Sequence, residues 1–276
     1  MRPPAFAAER RGRNVSLMAD VLIVGGGKMG EALLGGLLAA GRDPGAVAVV
    51  EPVTARREEL AARHNVRAIG EVEPASGVIL ATKPDVIPAA AASVAAAGAD
   101  RVLSVAAGVT LATLGSALGD TPTVRCMPNT PALVGQGAAA ICGNTAAGEE
   151  DLAWAEGILG AVGTVVRTTE PLLDAVTGLS GSGPAYVFLV AEAMIDAGVM
   201  VGLSRPVATE LAVQTLLGAA TLLTDGRPAA ELRADVTSPG GTTAAGLREL
   251  ERGGVRASFA AAIEAATNRS RELGQA

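Results

Sequence analysis

Histidine occurs once in the 276 residues, at His64, and cysteine twice, at Cys126 and Cys142. A histidine-centred triad and a Cys/His zinc cage both need more of these residues than the chain has, so neither chemistry nor a bound metal is expected. Aromatics are as scarce. Phe6, Trp154, Tyr186, Phe188 and Phe259 make up 2% of the chain, too few for a surface that stacks on bases. Basic residues number 22 against 28 acidic, for a net charge of −6, which disfavours nucleic acid as a partner. Lysine stands only at Lys28 and Lys83. Two cysteines and no export signal point to a reducing, cytoplasmic compartment.

What is abundant is small apolar residues: hydrophobic types reach 49%, beside 35 glycines. Residues 102–119 lack charge but are broken by Ser104, Gly108, Thr110, Thr113, Gly115 and Ser116, and residues 186–203 carry Glu192 and Asp196. Neither stretch reads as a bilayer span, and no membrane partner is expected. Residues 1–18 hold Arg2, Arg10, Arg11 and Arg13 and no continuous apolar run. They read as a disordered tail or a misassigned start with the true start at Met18, an Arg-rich transit peptide being the alternative.

Residues 19–170 alternate bare apolar strands with helical segments, the pattern of a mainly parallel sheet buried on both faces. Strands are expected at residues 20–24, 46–51, 77–82, 101–105, 123–125, 138–141 and 164–166, and helices at 28–40, from a cap at Thr54 to about Arg63, and at 85–97, with a short one from Thr110. After about Pro171 the strand signal stops. Residues 171–276 read as an all-α domain with helices at 184–201, 205–223, 228–236, 242–251 and 255–273. The fold class is α/β, with a sheet domain followed by a helical one.

Gly25-Gly26-Gly27-Lys28-Met29-Gly30 contains G-x-G-x-x-G directly after a strand and at the start of a helix. There the first glycine allows a tight turn, the second lets backbone approach a pyrophosphate and the third lets helix pack on strand, while the helix N-terminus offers free N–H groups. Glu51, at the end of the second strand, is placed to accept hydrogen bonds from a ribose, which favours NAD, although Arg56 and Arg57 nearby would offset repulsion of a 2′-phosphate. The alternative is a solvated strand-end carboxylate. Ala81-Thr82-Lys83-Pro84 and Val105-Ala106-Ala107-Gly108 end two further strands, where open α/β sheets place ligands, and the small residues of the second would let a nicotinamide ring pack closely. Met127-Pro128-Asn129-Thr130-Pro131 is a loop stiffened by prolines. Ser180 or Ser182 is expected to cap the helix opened by Pro184. In Thr237-Ser238-Pro239-Gly240-Gly241-Thr242-Thr243 two glycines turn the chain so that successive N–H groups precede a helix, a receptor for a small anion such as a carboxylate.

Taken together, these segments resemble the pyrroline-5-carboxylate reductases, from about Asp20 to Leu273. The resemblance rests on Val24-Gly-Gly-Gly-Lys-Met-Gly30, Ala81-Thr-Lys-Pro84, Val105-Ala-Ala-Gly-Val109, Arg125-Cys-Met-Pro-Asn-Thr-Pro131, Gly178-Leu-Ser-Gly-Ser-Gly-Pro-Ala-Tyr186 and Thr237-Ser-Pro-Gly-Gly-Thr-Thr243. It implies a Rossmann-like domain with a helical dimerisation domain, homodimers assembled into a decamer, and reduction of L-1-pyrroline-5-carboxylate to L-proline by NADPH or NADH, the last step of proline biosynthesis. Carried over by motif, the cofactor-binding residues are Val24, Gly25, Gly27, Lys28, Met29, Gly30, Glu51, Ala81, Thr82, Lys83, Ala106, Ala107 and Asn129. Ser238, Gly240, Gly241, Thr242 and Thr243 would hold the substrate carboxylate, and Thr243 would act in catalysis by meeting the ring nitrogen. This chain departs from the pattern at two places: Glu51 stands where NADPH-using members often have a small hydroxyl residue, and Thr82 stands where valine is usual. A β-hydroxyacid dehydrogenase is the first rival, weakened because no lysine follows Lys83. A non-catalytic dinucleotide sensor is the second, and it would have no use for the anion loop at Thr237–Thr243.

Overall fold

The computed structural model describes residues 19–275. The expectations for residues 1–18, and residue 276, lie outside them. The chain opens with β1 (Ala19–Val24), α1 (Lys28–Ala39), β2 (Val47–Val50), α2 (Thr54–His64), β3 (Arg67–Ile69) and β4 (Ala75–Leu80). It continues with α3 (Ile87–Ala97), β5 (Ala99–Ser104), α4 (Leu111–Leu118), β6 (Thr123–Met127), β7 (Gly137–Gly143), α5 (Glu149–Leu159) and β8 (Gly163–Arg167). The strands form one sheet in the order β3-β2-β1-β4-β5-β6-β7-β8. Every neighbouring pair is parallel except β6 and β7, which run antiparallel. Strand order reverses between β1 and β4, which creates the crevice where open α/β sheets hold ligands.

The bare apolar strands follow from burial on both faces. In β1, Val21 and Ile23 join Leu33, Leu34 and Leu37 of α1, Leu60 of α2 and Ile158 of α5 in one core. Leu22 and Val24 point the other way, into a core with Ile87, Ala91 and Val94 of α3 and Leu114 and Leu118 of α4. Truncating a fully buried residue such as Leu22 to alanine costs about 2–5 kcal/mol.

A helical segment follows: α6 (Leu173–Val176), a π-helical turn over Thr177–Gly181, α7 (Gly183–Met200), α8 (Arg205–Leu223), α9 (Ala229–Asp235), α10 (Thr242–Arg252) and α11 (Val255–Gln275). Its root is tied to the sheet domain and to its own last helix. Glu170 accepts from the Arg125 guanidinium at 2.8 Å and from the Leu111 N–H at 2.6 Å, and the Ser270 hydroxyl donates to Asp174 at 2.7 Å. Beyond that root, α7 packs mainly on α8, and α10 on α11.

Some local expectations differ from the structure. β3 has only three residues and a charged start, so its apolar signal is faint, and α5 opens with Glu149, Glu150 and Asp151, which conceal its apolar face. The stretch after Lys83 begins as a 3₁₀ turn over Pro84–Val86 before α3. Thr54 is the first residue of α2 rather than its cap, and its hydroxyl accepts from Arg57. Ser182 occupies the position before α7 in helical geometry (φ −84°, ψ −19°) because the π turn runs straight into that helix, leaving no break to cap. The Ser180 hydroxyl donates back to Val176 O at 3.2 Å. Two helical stretches, Glu170–Met200 and Arg205–Leu223, are long and apolar enough to cross a membrane by length and composition alone, a test that core helices also pass.

Candidate functional site

The glycine turn after β1 and the segment after β4 meet at the switch point. Gly25 has φ +114°, and a Cβ there would lie 2.7 Å from Ala81 O, so only glycine lets the two segments abut. A Cβ on Gly30 would collide with Gly25 O, which is how α1 sits so close to the strand it follows. Over Gly27 the space is open. Gly27 stands at the cap position of α1 and offers no side-chain cap, so the first N–H groups of the helix remain free for phosphate oxygens. Lys28 and Lys83 are exposed on either side and make no ion pair among the described residues. Open backbone, free donors and two free cations fit a dinucleotide.

Glu51 turns back onto this loop. Its carboxylate accepts from the Gly26 N–H at 3.1 Å and from the Val53 N–H at 3.0 Å. The arginines expected to offset its charge are committed elsewhere. Arg56 donates to Gly26 O at 2.9 Å, to Glu31 at 2.5 Å and to Glu59 at 2.7 Å, while Arg57 donates to the carbonyls of Glu51 and Pro52 and to Thr54. Burial alone would raise the Glu31 carboxyl, but hydrogen bonds from His64, Arg56 and Arg63 outweigh it and hold the group at about 2. The single histidine is thus a strut between α1 and α2, with Nε2 3.0 Å from Glu31.

Two cavities flank the meeting point. One, of about 640 Å³, is lined by Val24, Val50, Pro52, Gly70, Thr82 and Ala89 among others. The other, of about 580 Å³, lies between Pro84, Ala107 and Gly108 and the helical residues Thr177, Ser182 and Ser270. Ala106 is buried at the end of β5, beside Ala107. Asn129 is the exception among the expected cofactor residues. Its amide donates to Ser180 O at 3.1 Å and accepts from the Ala138 N–H at 2.8 Å, so it braces the loop between β6 and β7.

The remaining expected residues line neither of these cavities. The Gly241 N–H donates to Ser238 O at 3.0 Å, closing the turn before α10, and α10 has no side-chain cap. Gly240 has φ +69°, a left-handed turn suited to glycine. The hydroxyls of Ser238, Thr242 and Thr243 make no hydrogen bond among the described residues, while Thr237 donates to Arg233 O. The loop is largely exposed, and neither flanking cavity is lined by it. Asp196 pairs with Arg205 at 2.8 Å. Burial pushes both thiols up, Cys142 to about 11 and Cys126 further, and no cluster of three or more His, Cys, Asp or Glu residues able to hold a metal occurs among the described residues.

A family model described as pyrroline-5-carboxylate reductase dimerisation matches residues 170–273, and one described as NADP oxidoreductase coenzyme F420-dependent matches residues 20–108. A pyrroline-5-carboxylate reductase of Mycobacterium leprae is 45% identical, over 94% of this chain and 98% of that protein. The chain belongs to the pyrroline-5-carboxylate reductase family. A solved pyrroline-5-carboxylate reductase from Coxiella burnetii superposes with TM-score 0.89 at 34% identity, covering 93% of this chain and 99% of its own. The Plasmodium falciparum member, solved with NADP bound, gives 0.76 at 30% identity, covering 93% and 98%. The stretch matched by the dimerisation model spans α6 to α11.

Proposed function

We propose that this chain reduces L-1-pyrroline-5-carboxylate to L-proline with NAD(P)H in the cytoplasm, the last step of proline biosynthesis, without nucleic-acid or membrane partners. The observation that carries this reading is the near full-length match to named reductases, in a chain that keeps an uncapped turn at both Gly25–Gly30 and Ser238–Thr243. When bound, NAD(P)H supplies the hydride. The free N–H groups of α1 and the Lys28 side chain would hold the pyrophosphate, and the small residues at Ala106 and Ala107 would leave room for the nicotinamide to pack closely. The turn at Ser238–Thr243 takes the substrate carboxylate on its N–H groups, and the Thr243 hydroxyl meets the ring nitrogen, steering the proton that completes the amine. Alignment of the two carbons does most of the work.

Because the anion loop lines neither cavity beside the glycine turn, a second copy supplies it. The apolar faces of α7 and α8 are covered in a homodimer, and such dimers assemble further, to a decamer. Glu51, with Arg56 and Arg57 both engaged, favours NADH over NADPH. The test is the initial rate of NADH and NADPH oxidation by purified protein with racemic pyrroline-5-carboxylate. Oxidation of one nicotinamide per proline formed is expected, with kcat/KM about 10-fold lower in Thr243→Ala. Binding of NADH without oxidation in the presence of the imine would contradict the proposal and favour a sensor.

A further inference from the structure

Thr82 follows β4 and carries a hydroxyl that the fold does not use. Its Oγ1 is buried and, among the described residues, has no hydrogen-bond partner, a condition shared only with Ser104. Ser104 lies wholly inside the core, whereas Thr82 stands in the wall of the 640 Å³ cavity. A buried hydroxyl without a partner opposes folding, and a valine of the same shape would not. A group with that cost, on the wall of a cavity, finds its partner when the cavity is filled.

The place of the cavity says what fills it. It opens between the ends of β1, β2 and β4, with Val50 and Pro52 on either side of Glu51, the acid that faces a ribose in folds of this plan. The walls are mostly apolar, from Val24, Val72, Val86 and Ala90, with Glu71 the one charged residue among them, and the apolar part suits the faces of a purine. Ser93, the other hydroxyl in the wall, is already spent on Ala89 O at 3.1 Å.

We propose that the Thr82 hydroxyl anchors the adenosine half of the cofactor by a direct hydrogen bond, an inference that rests on the dinucleotide reading above. The hydroxyl is free to take another staggered position about χ1 when a ligand fills the cavity. The ring edge of adenine and the ribose hydroxyls both offer complementary groups. The contact belongs to this chain's own side chain, since the resemblance has valine at this place.

The test is calorimetric titration of AMP and of NADH into the wild-type protein, Thr82→Val and Thr82→Ser, with ligand-free melting temperatures alongside. Thr82→Val is expected to bind both AMP and NADH about 10-fold more weakly, as one lost directed contact would. It should melt no lower than wild type without ligand, and Thr82→Ser should keep AMP affinity within about threefold. Thr82→Ala, which removes the hydroxyl without adding volume, replaces Thr82→Val if that variant fails to fold. A folded Thr82→Val that binds AMP and NADH as tightly as wild type overturns the anchor and leaves the dinucleotide reading standing. Failure of the wild-type protein to bind either AMP or NADH overturns both.

Discussion

Leu22 and Ile23 in β1 are fully buried, while Phe188 and Leu189 in α7, no less apolar, are 64% and 65% exposed. The sheet half closes its own core on both faces, and the helical half leaves Val187, Val213 and Leu217 at the surface. A helix that is apolar all round is a buried helix, so the second half becomes a finished structure only when something covers it. The same contrast runs through the candidate site. The glycine turn is braced by Glu51, Arg56 and Ala81 within one chain, but the turn before α10 is exposed and touches neither cavity. One half encloses its own core, and the other leaves apolar faces uncovered within one chain.

The largest expected effect comes from denying the helical half its cover. Val213→Glu with Leu217→Glu places two like charges one turn apart on the exposed face of α8. Sedimentation should show monomers, and imine reduction should fall by about 100-fold or more, because burying those charges in an interface costs several kcal/mol. NADH affinity, a property of the sheet half, should stay within about threefold. A monomer that keeps full activity would erase the contrast. A smaller effect tests the bracing of the glycine turn: Glu51→Ser should raise the NADPH/NADH ratio of kcat/KM by about 10-fold, by removing a like charge from the place of a 2′-phosphate. An unchanged ratio would mean that the carboxylate serves only Gly26 and Val53.

The smallest effect concerns stability alone. The folded-state pKa of Glu31 is depressed from 4.5 to about 2, so its contribution is complete above about 4.5 and fades as pH falls toward 2. Glu31→Gln should lower the Tm by a few degrees near neutral pH, on the order of 1–2 kcal/mol. The gap should narrow through the window from 4.5 to about 2. A gap that is constant with pH would show that the strut does not depend on the charge.

Much of the sheet half was legible because its signals are local. An apolar run in β1, three spaced glycines and an acid at the end of β2 each report their surroundings within a few residues. The reversal of β7 was not legible, since direction is set by how a strand pairs and not by its composition. Nor were the commitments of Arg56 and Arg57: sequence places them near Glu51, but only the fold shows that Gly26, Glu31 and the Glu51 carbonyl have taken their donors. Asn129 is a similar case, an amide whose two ends are used on backbone far away in sequence. In the helical half the helices were legible from their length and punctuation, but the π turn that removes the Ser182 cap was not, because Thr177–Gly181 carries no residue that marks it.

The most direct test of a site shared between copies is a mixed dimer. A chain disabled in the glycine turn by Gly25→Asp is inactive by itself, as is a chain disabled in the anion loop by Gly240→Val with Thr243→Ala. Unfolded together in equal amounts and refolded, the two should recover about a quarter of wild-type activity, because half of the random dimers are mixed and each holds one intact pairing of turn and loop. Recovery of none, with mixed dimers present, would place both halves of the site in one chain and contradict the account.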